Sequence, residues 1–473
     1  MRIARTAISI SLAIALAACG GGSSGSGSSS GGPISSSGGG GGGGATCSLA
    51  SRQTFVRDVL NEWYLFPELL DRNVDPARYT DLQDYIDALV APARAQNKDK
   101  FFTYITSIKE ETDLIENGSS AGFGIRLSYD TSANRVFVLE AFENGNAFAA
   151  GLDRGTELLS INGQAVSSLM ASGGPSAVIQ ALGPSQPGLA RTLGFRTAEG
   201  VERTVSVTKS EFSLDPVSDR YGVRILNDGT EDVGYINLRT FIVADAGPQL
   251  RTAFADFKAR GIDKVILDLR YNGGGLVSVA ELLGDLLAAD KVGQVFSRTV
   301  LRQSKSSENE TRNFAAQSEA IAATKIAIIG GRGTASASEL VANSFIPYLR
   351  ENIALIGANT LGKPVGQFAF DRSACDDRLR AVTFKTVNAA GNGEYFNGLA
   401  GVLDRTCAAS DDITRQLGDP REASVATALD FLAGRSCTPI TSGQDRTVQS
   451  VRGQQLLQPR TPNAAQRENP GLY

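Results

Sequence analysis

Residues 325–345 read KIAIIGGRGTASASELVANSF, an apolar run followed by small residues and then by a helical pattern. The apolar run predicts a buried strand, and the spacing after it predicts a helix. Ser336 is therefore expected where the strand ends and the helix begins. Unpaired amides at a helix start favour negative charge, so the amide of Ala337 could stabilise an oxyanion beside a Ser336 nucleophile. A structural alternative stays open, because Ser336 and Glu339 also have the spacing of a helix-capping box.

A second strand-to-helix switch lies at residues 264–283, which read KVILDLRYNGGGLVSVAELL. An apolar strand leads through Asn272 and three glycines into a helical pattern, and glycines let a backbone approach a ligand closely. If the two strand ends adjoin, they offer two amide donors at one point. The alternative is a glycine-rich turn without a function.

The chain contains no histidine, so a serine nucleophile would need a different general base. This absence excludes Ser-His-Asp triads, HExxH zinc sites and Cys-His proteases. Lys363, in ANTLGKPVGQ at 358–367, can act as a base if burial lowers its pKa from near 10.4 to about 7. A neutral amine then activates a serine hydroxyl, and the side-chain oxygen of Gln367 could hold that amine. The alternative for Lys363 is an ordinary solvated charge.

Three observations bear on cofactors and partners. GANTLGK at 357–363 fits the start of a phosphate-binding loop, but Pro364 stands where that motif needs Ser or Thr. The chain has no CxxC pair, which does not favour a zinc site. The near balance of 46 Lys and Arg against 50 Asp and Glu provides no basic footprint for nucleic acid. We therefore predict no cofactor, no metal and no nucleic-acid partner.

The patterning divides the chain into regions. Residues 47–114 have helical patterns, DKFFTYITSIKEE among them, and residues 115–212 alternate like strands. Strands and helices alternate over residues 213–437, which favours an α/β core, and residues 438–473 lack periodicity and predict a disordered tail. The predicted fold is a multidomain combination of α+β and α/β parts: a helical region, a β-rich module, and an α/β core with its site at strand ends.

The N-terminus predicts export. Residues 1–19 combine two arginines with an apolar stretch too short to span a membrane, which is typical of a signal peptide. The closing Leu16–Cys19 resembles a bacterial lipobox, which implies cleavage before Cys19 and acylation of that residue. Gly20 follows Cys19, which by the same resemblance favours the outer membrane, facing the periplasm. An ordinary signal peptide is the alternative. Residues 20–46 are almost entirely Gly and Ser and predict a flexible linker.

Four cysteines remain after Cys19, and an even number in an exported protein suggests disulfides. They allow three pairings. We prefer Cys375 with Cys407 and Cys47 with Cys437. Free buried thiols are the alternative.

Three motifs together resemble the carboxy-terminal processing peptidases, also called tail-specific proteases. They are DLRYNGGG at 268–275, SASE at 336–339 and LGKPVGQ at 361–367, and the resemblance extends over residues 50–435. It implies the following roles: nucleophile Ser336, base Lys363, orienting residue Gln367, oxyanion donors Ala337 and Gly274, and Glu339 as a supporting or capping residue. The spacing from Ser336 to Lys363 is slightly longer than is usual in that family.

The β-rich module resembles a PDZ domain. AGFG at 121–124 matches its carboxylate-binding loop, and GLDRGTELLSINGQAV at 151–166 matches the stretch that follows its helix. The resemblance implies that peptide is bound by Gly122, Phe123, Gly124 and Ile125.

The family resemblance implies an exported serine endopeptidase with a Ser–Lys dyad. Its substrates would be proteins recognised by their C-termini, and its membrane partner would be reached through the lipid on Cys19. The alternative, from another class, is a non-catalytic lipoprotein of the same fold that binds peptides or other ligands.

Overall fold

The computed structural model describes residues 47–441 and 454–473. The predicted signal peptide, the lipidation site Cys19 and the Gly/Ser linker lie outside the described residues. Within the described ranges, no helix is both long and apolar enough to cross a membrane.

The first described region is mainly helical. Its elements are α1 (Leu49–Trp63), α2 (Leu82–Leu89), α3 (Ala91–Ala95), β1 (Tyr104–Ser107) and α4 (Ile108–Asn117). Helix α1 begins where the Ser48 side chain accepts a hydrogen bond from the Ser51 amide. Val56 and Leu60 on its apolar face are fully buried in a cluster that also contains Val365, from the strand that follows Lys363. The helical region therefore covers the neighbourhood of the predicted base.

The β-rich module follows. Its elements are β2 (Ser119–Gly122), β3 (Ile125–Asp130), β4 (Arg135–Ala141), α5 (Asn146–Ala149), β5 (Glu157–Ile161), β6 (Gln164–Ala165), α6 (Val166–Leu182), β7 (Ala190–Arg196), β8 (Glu202–Thr208) and β9 (Ser210–Ser213). The module has its own buried core, to which the β3 residues Ile125 and Leu127 contribute. Helix α6 is interrupted at Gly174, whose φ is 63°, just before Pro175.

The α/β core occupies the next two hundred or so residues. Its elements are β10 (Val223–Asn227), β11 (Asp232–Asn237), α7 (Ala246–Ala259), β12 (Lys264–Asp268), α8 (Val277–Leu287), β13 (Val295–Leu301), β14 (Glu310–Asn313), β15 (Lys325–Gly330), α9 (Ala337–Leu349), β16 (Ile353–Gly357), β17 (Val365–Arg372), β18 (Asp377–Val387), β19 (Arg405–Ala408) and α10 (Ala423–Leu432). The predicted mixed α/β multidomain fold is confirmed.

A six-stranded sheet forms the centre of this core, in the order β10-β11-β12-β15-β16-β19. Strands β11 to β19 run parallel, and β10 is an antiparallel edge strand. Apolar residues of α7, α8 and α9 bury one face of the sheet, and those of α10 bury the other. Because β12 and β15 are neighbouring parallel strands, the loops that leave their carboxyl ends, residues 269–276 and 331–336, meet at one edge of the sheet.

A second sheet begins two residues after the predicted base and carries Gln367 on β17. Its order is β1-β18-β13-β14, with β17 also pairing β18. Residues 104–107, predicted as part of a helix, form β1 because they pair in antiparallel register with residues 377–380 of β18. This strand pairing is a tertiary contact, so the local helical pattern does not predict it.

The predicted disordered tail is wrong for residues 454–473. They contain β20 (Gln454–Leu456), which pairs antiparallel with β3, and α11 (Ala464–Glu468). Leu457, Leu472 and Tyr473 are at most 2% exposed. Leu457 and Tyr473 pack into the core of the β-rich module and Leu472 into another cluster, without helical or strand spacing, so a periodicity search misses them. Residues 442–453 of the predicted tail lie outside the described residues.

The preferred cysteine pairing is also wrong. Cys47 lies beside Cys375 and Cys407 beside Cys437, with Cα–Cα distances of 5.5 and 5.4 Å that suit disulfides. Arg52, in the first turn of α1, binds Asp377 and so brings Cys47 to Cys375. The Ala408 amide donates to the Thr438 carbonyl at 2.7 Å, which aligns Cys407 with Cys437. Both alignments depend on contacts between segments that are remote in sequence or separated by a helix.

The cysteine geometry is tested by peptide mapping. Protein produced in an oxidising compartment and digested without reduction should yield linked peptides containing Cys47 with Cys375 and Cys407 with Cys437. Removing either link should cost about 2–4 kcal/mol of unfolding free energy, the usual range for a native disulfide. Linked peptides containing Cys375 with Cys407 would contradict the structure.

Candidate active site

Ser336 occupies a sharp turn between β15 and α9. It is the N-cap residue of α9, with φ 54° and ψ −116°, a backbone region that non-glycine residues rarely adopt. Holding such a conformation costs about 1–3 kcal/mol and requires support from surrounding contacts. Ser336 and Glu339 stand at the two positions of a capping box, and the Ser336 amide donates to Glu339 Oε2, so this half of the structural alternative is realised. Capping also leaves Ser336 at the mouth of the helix, where a nucleophile would stand.

The carboxylate of Glu339 connects the serine to the lysine. Oε2 accepts hydrogen bonds from the amides of Ser336 at 3.1 Å and Lys363 at 2.7 Å. Oε1 accepts the amide of Gly362 at 2.8 Å. Glu339 is fully buried, and burial raises the pKa of its carboxyl although these hydrogen bonds oppose the rise. Since two amides share one carboxylate oxygen, the backbones of Ser336 and Lys363 lie side by side.

The Lys363 side chain points into a buried environment. Its Nζ donates to Gln367 Oε1 at 2.8 Å, and Gln367 Nε2 donates to the Phe102 carbonyl. The Phe102 ring centroid lies 5.1 Å from Nζ, and Lys363 is only 8% exposed. The structure thus places Gln367 in contact with the amine, and its orienting role in catalysis stays a prediction. Phe102 was missed because DKFFTYITSIKEE has a helical pattern that predicts only core packing.

Burial lowers the pKa of Lys363 below its usual 10.5. The carboxylates of Glu468 and Asp99 oppose this effect, and the guanidinium groups of Arg380 and Arg467 reinforce it. The net direction favours the neutral amine that a general base requires. No hydrogen bond joins Lys363 Nζ to Ser336 Oγ among the described residues, so the amine would have to turn from Gln367 to the serine before it could accept a proton.

The glycine-rich loop after β12 lies against Ser336. A Cβ on Gly274, whose φ is 117°, would stand 2.7 Å from Ser336 Cβ and 3.2 Å from the Ala337 nitrogen. Only glycine fits this position, because both the space and the conformation exclude a side chain. The two predicted strand ends thus adjoin at the serine.

The two predicted oxyanion donors differ in their availability. The Ala337 amide has no acceptor within residues 47–441 and 454–473. The Gly274 amide donates to Asn272 Oδ1 at 2.9 Å, so in this conformation it is not a free donor. The Asn272 carbonyl in turn accepts from the Ala335 amide and the Ser338 hydroxyl, both at 3.1 Å, which fastens the loop to the serine turn.

The predicted peptide-binding loop, residues 122–125, holds the last residue of the sequence. The amides of Gly124 and Ile125 donate to the main-chain oxygen of Tyr473 at 2.9 and 3.1 Å. Gly122 faces the same group, since a Cβ there would lie 2.5 Å from the Tyr473 carbonyl carbon. Phe123 is different, because its side chain is fully buried in the core of the module. The loop contacts a peptide end through its backbone and glycines.

Comparison with known protein families indicates which class of protein this chain resembles. Residues 232–400 match peptidase family S41. They contain Ser336, Lys363, Gln367 and the glycine-rich loop. Residues 232–400 are therefore a peptidase family S41 domain, a family of serine-type peptidases, and curated relatives of the chain are named carboxyl-terminal processing proteases.

Two curated relatives illustrate the match. The chain is 30% identical over 271 residues to the chloroplastic C-terminal processing peptidase of Tetradesmus obliquus, covering 54% of each protein. It is 27% identical over 260 residues to the carboxyl-terminal-processing protease of Synechocystis, covering 54% of this chain and 56% of that one. The chain thus spans about half the length of the curated relatives it matches.

A solved structure shares the fold. A Bacteroides fragilis protein assigned to the S41 proteases superposes with a TM-score of 0.63 at 22% identity. The superposition covers 80% of this chain and 97% of that one. This similarity extends well beyond the matched family segment.

The Glu339 connection predicts a specific loss of stability. Glu339→Ala leaves three buried amides without acceptors, so unfolding free energy should fall by at least about 3 kcal/mol. Glu351→Ala is the matched control, since this glutamate is exposed and, among the described residues, its ion pair is with the exposed Arg405. Its change should stay within about 0.5 kcal/mol. Equal urea midpoints for the two variants would contradict the bridging role.

Proposed function

We propose that this protein is an exported serine endopeptidase of the carboxy-terminal processing type, with Ser336 and Lys363 as its catalytic dyad. The observation that carries the proposal is the shared carboxylate of Glu339, which brings the backbone of a strained serine beside that of a buried lysine. Its substrates are proteins, and no cofactor takes part.

The reaction follows from the chemistry of the two side chains. Ser336 Oγ attacks a peptide carbonyl while the neutral Lys363 amine accepts its proton. The resulting ammonium then gives a proton to the leaving amine, and a water molecule hydrolyses the acyl-enzyme with Lys363 again acting as base. Gln367 keeps the amine in place between these steps.

The developing oxyanion needs donors at the serine. Ala337 offers an amide at the start of α9, where the helix dipole adds positive potential. The second donor is the Gly274 amide once it leaves Asn272. The cleavage-competent conformation therefore differs from the present one in two ways: Lys363 Nζ turns towards Ser336, and the glycine-rich loop releases an amide.

Substrate recognition is assigned to the PDZ-like module. The amides of Gly124 and Ile125 would hold the C-terminal carboxylate of a substrate, and the edge of β3 would pair with the residues before it. This arrangement gives main-chain affinity for any C-terminus, while side-chain pockets decide between sequences.

The location of the protein is proposed from the sequence alone. The export signal and lipobox support acylation of Cys19 and anchoring in the outer membrane of a bacterial envelope, facing the periplasm. The two close cysteine pairs suit that oxidising compartment.

Casein cleavage tests the nucleophile. The wild-type chain should degrade casein, and Ser336→Ala should lower kcat by at least about 10³, because removal of a serine nucleophile abolishes acylation. Ser344→Ala is the matched control. This buried serine lies on the same helix, and its hydroxyl has no hydrogen-bond partner in the described structure.

Two outcomes count against the proposal. Equal cleavage by wild type and Ser336→Ala would reject Ser336 as the nucleophile. If the wild type and the tail-released variant described below both fail to cleave, the non-catalytic alternative is favoured.

The pH profile tests the base. Only neutral Lys363 can accept a proton, so kcat/KM should rise with pH and level off above the lysine pKa. Because burial lowers that pKa, the rise should be complete below the 10.5 of an exposed lysine. Lys363→Arg should be inactive at every pH, since a guanidinium does not deprotonate in this range. An arginine variant that retains the wild-type profile would remove Lys363 from the mechanism.

A further inference from the structure

The last twenty residues occupy the edge of β3 from both directions. Residues 454–456 of β20 pair antiparallel with residues 128–130, and the Leu457 amide continues the pairing to the Leu127 carbonyl at 2.9 Å. Residues 471–473 pair with the start of the same strand. The Leu127 amide donates to Gly471 at 2.8 Å, and the Tyr473 amide donates to Ile125 at 2.8 Å. The strand edge that would accept a substrate C-terminus is thus fully used.

The side chains of the final two residues enter apolar pockets. Tyr473 packs into the core of the β-rich module, and Leu472 packs into a separate cluster that includes Phe142, Phe212 and Ile242. The buried Tyr473 hydroxyl has no hydrogen-bond partner among the described residues. A buried hydroxyl without a partner costs free energy, so the pocket suits an aromatic ring but gains nothing from the oxygen.

Polar contacts brace the segment between these two ends. Gln466 Nε2 donates to the Leu472 carbonyl at 2.7 Å, and the Gly471 amide donates to Gln458 Oε1 at 2.8 Å. The fully buried Arg126 donates through Nη1 to the Pro470 carbonyl at 3.0 Å and to the Tyr271 carbonyl at 2.8 Å. The same guanidinium thus connects the segment to the glycine-rich loop.

The segment also reaches the candidate active site. The Gly273 amide donates to the Glu468 carbonyl at 2.9 Å, and a Cβ on Gly273 would meet the carbonyl oxygens of Arg467 and Glu468 within 3 Å. With Gly274 bonded to Asn272, two successive amides of the loop are therefore occupied while the segment is in place. The Glu468 carboxylate also favours the protonated form of Lys363, and so raises the pKa that burial lowers. Both effects oppose the reaction.

We propose that residues 454–473 are an intramolecular ligand of the peptide groove and that they hold the active site closed to substrates. The groove takes peptides that end in leucine followed by a large aromatic residue, with the terminal carboxylate on the Gly124 and Ile125 amides. A substrate with such an end competes with residues 454–473 for the edge of β3. The consequence for activity rests on the proposed function, whereas the binding preference does not.

Peptide binding tests the ligand without any cleavage. The probe is a labelled peptide with the sequence of residues 463–473, NAAQRENPGLY, and the protein is the full chain carrying Ser336→Ala with and without Tyr473→Asp. Tyr473→Asp places a charge in an apolar pocket and should release the segment. The peptide should bind this variant at least about tenfold more tightly than the chain with Tyr473, because there the internal ligand must first be displaced.

Three peptide variants test the chemistry of the groove. A C-terminal amide should bind at least about tenfold more weakly than the free acid, because it lacks the charge that the two amides hold. A peptide ending in Phe should bind as tightly as the Tyr peptide or more tightly, and one ending in Asp should not bind. Equal binding of acid and amide, or preference for Asp, would overturn the assignment.

Hydrogen exchange distinguishes release of residues 471–473 from a general loosening of the fold in Tyr473→Asp. In the chain with Tyr473, the amides of Ile125 and Leu127 should be protected. They should exchange faster in Tyr473→Asp while the central-sheet amides of residues 265–267 stay protected, and added peptide should restore the protection. Unchanged exchange at Ile125 and Leu127 in the variant would show that residues 471–473 do not cover this strand edge. Arg460→Ala, at an exposed position of the same segment, is the matched control and should leave exchange unchanged.

Casein cleavage tests whether residues 454–473 hold the active site closed. With Ser336 present, Tyr473→Asp should raise kcat/KM for casein at least about tenfold over the wild type, and free peptide should inhibit that variant. Arg460→Ala should match the wild type. Equal activity of the wild type and Tyr473→Asp, or mass spectrometry showing that the chain removes its own residues 469–473, would overturn the closure. Peptide binding without cleavage by any variant would instead reject the proposed function and leave the binding preference intact.

Discussion

The buried Glu339 carboxylate accepts the amides of Ser336, Gly362 and Lys363, and the geometry of the candidate dyad depends on this contact. Ser336 and Lys363 follow two different strands of the central sheet. The turn at Ser336 would not hold its backbone by itself, because Ser336 is strained, with a φ of 54°. One buried acceptor satisfies three donors, and its own burial is tolerable only because those donors are present.

The electrostatic state of Lys363 depends on a region remote in sequence. The helices at the start of the described chain pack on β17 and β18, and they bring the Phe102 carbonyl to Gln367 and the Phe102 ring to the lysine amine. Removal of water is the largest influence on the lysine, and it lowers the pKa. The helical region thus supplies an apolar cover, which a Ser–Lys pair needs in a chain that has no histidine.

Buried hydrogen bonds join the β-rich module to the α/β core. Arg126 and Arg154 leave the module and donate to the main chain and side chain of Tyr271, next to the glycine-rich loop. Tyr271 has a φ of 67°, which marks the loop as a strained element held by its neighbours. Arg126 also donates to the Pro470 carbonyl, so one guanidinium links the segment on the edge of β3 to Tyr271, the neighbour of Asn272.

The local residue pattern was sufficient to predict the strands, turns and helices on which the candidate site is built. The strand, turn and helix over 325–345, the glycine-rich switch after β12 and the spacing of Lys363 and Gln367 are short-range features, since apolar periodicity and glycine positions are set by neighbouring residues. The mixed α/β class followed from the same alternation. These features also placed Ser336 and Gly274 just after strand ends, and the order of the central sheet makes those two ends neighbours.

Only the tertiary structure decided the remaining points, because each depends on segments far apart in sequence. Residues 104–107 became a strand through pairing with β18, and Cys47 lies beside Cys375 because α1 docks against β18. Residues 454–473 are held in place by single apolar side chains that pack into other elements. Such isolated side chains produce no periodic pattern in the sequence. The hydrogen bond from the Gly273 amide to the Glu468 carbonyl is a long-range contact of the same kind. The spacing of apolar residues indicates which face of a segment is buried, but it does not indicate which other segment packs against that face.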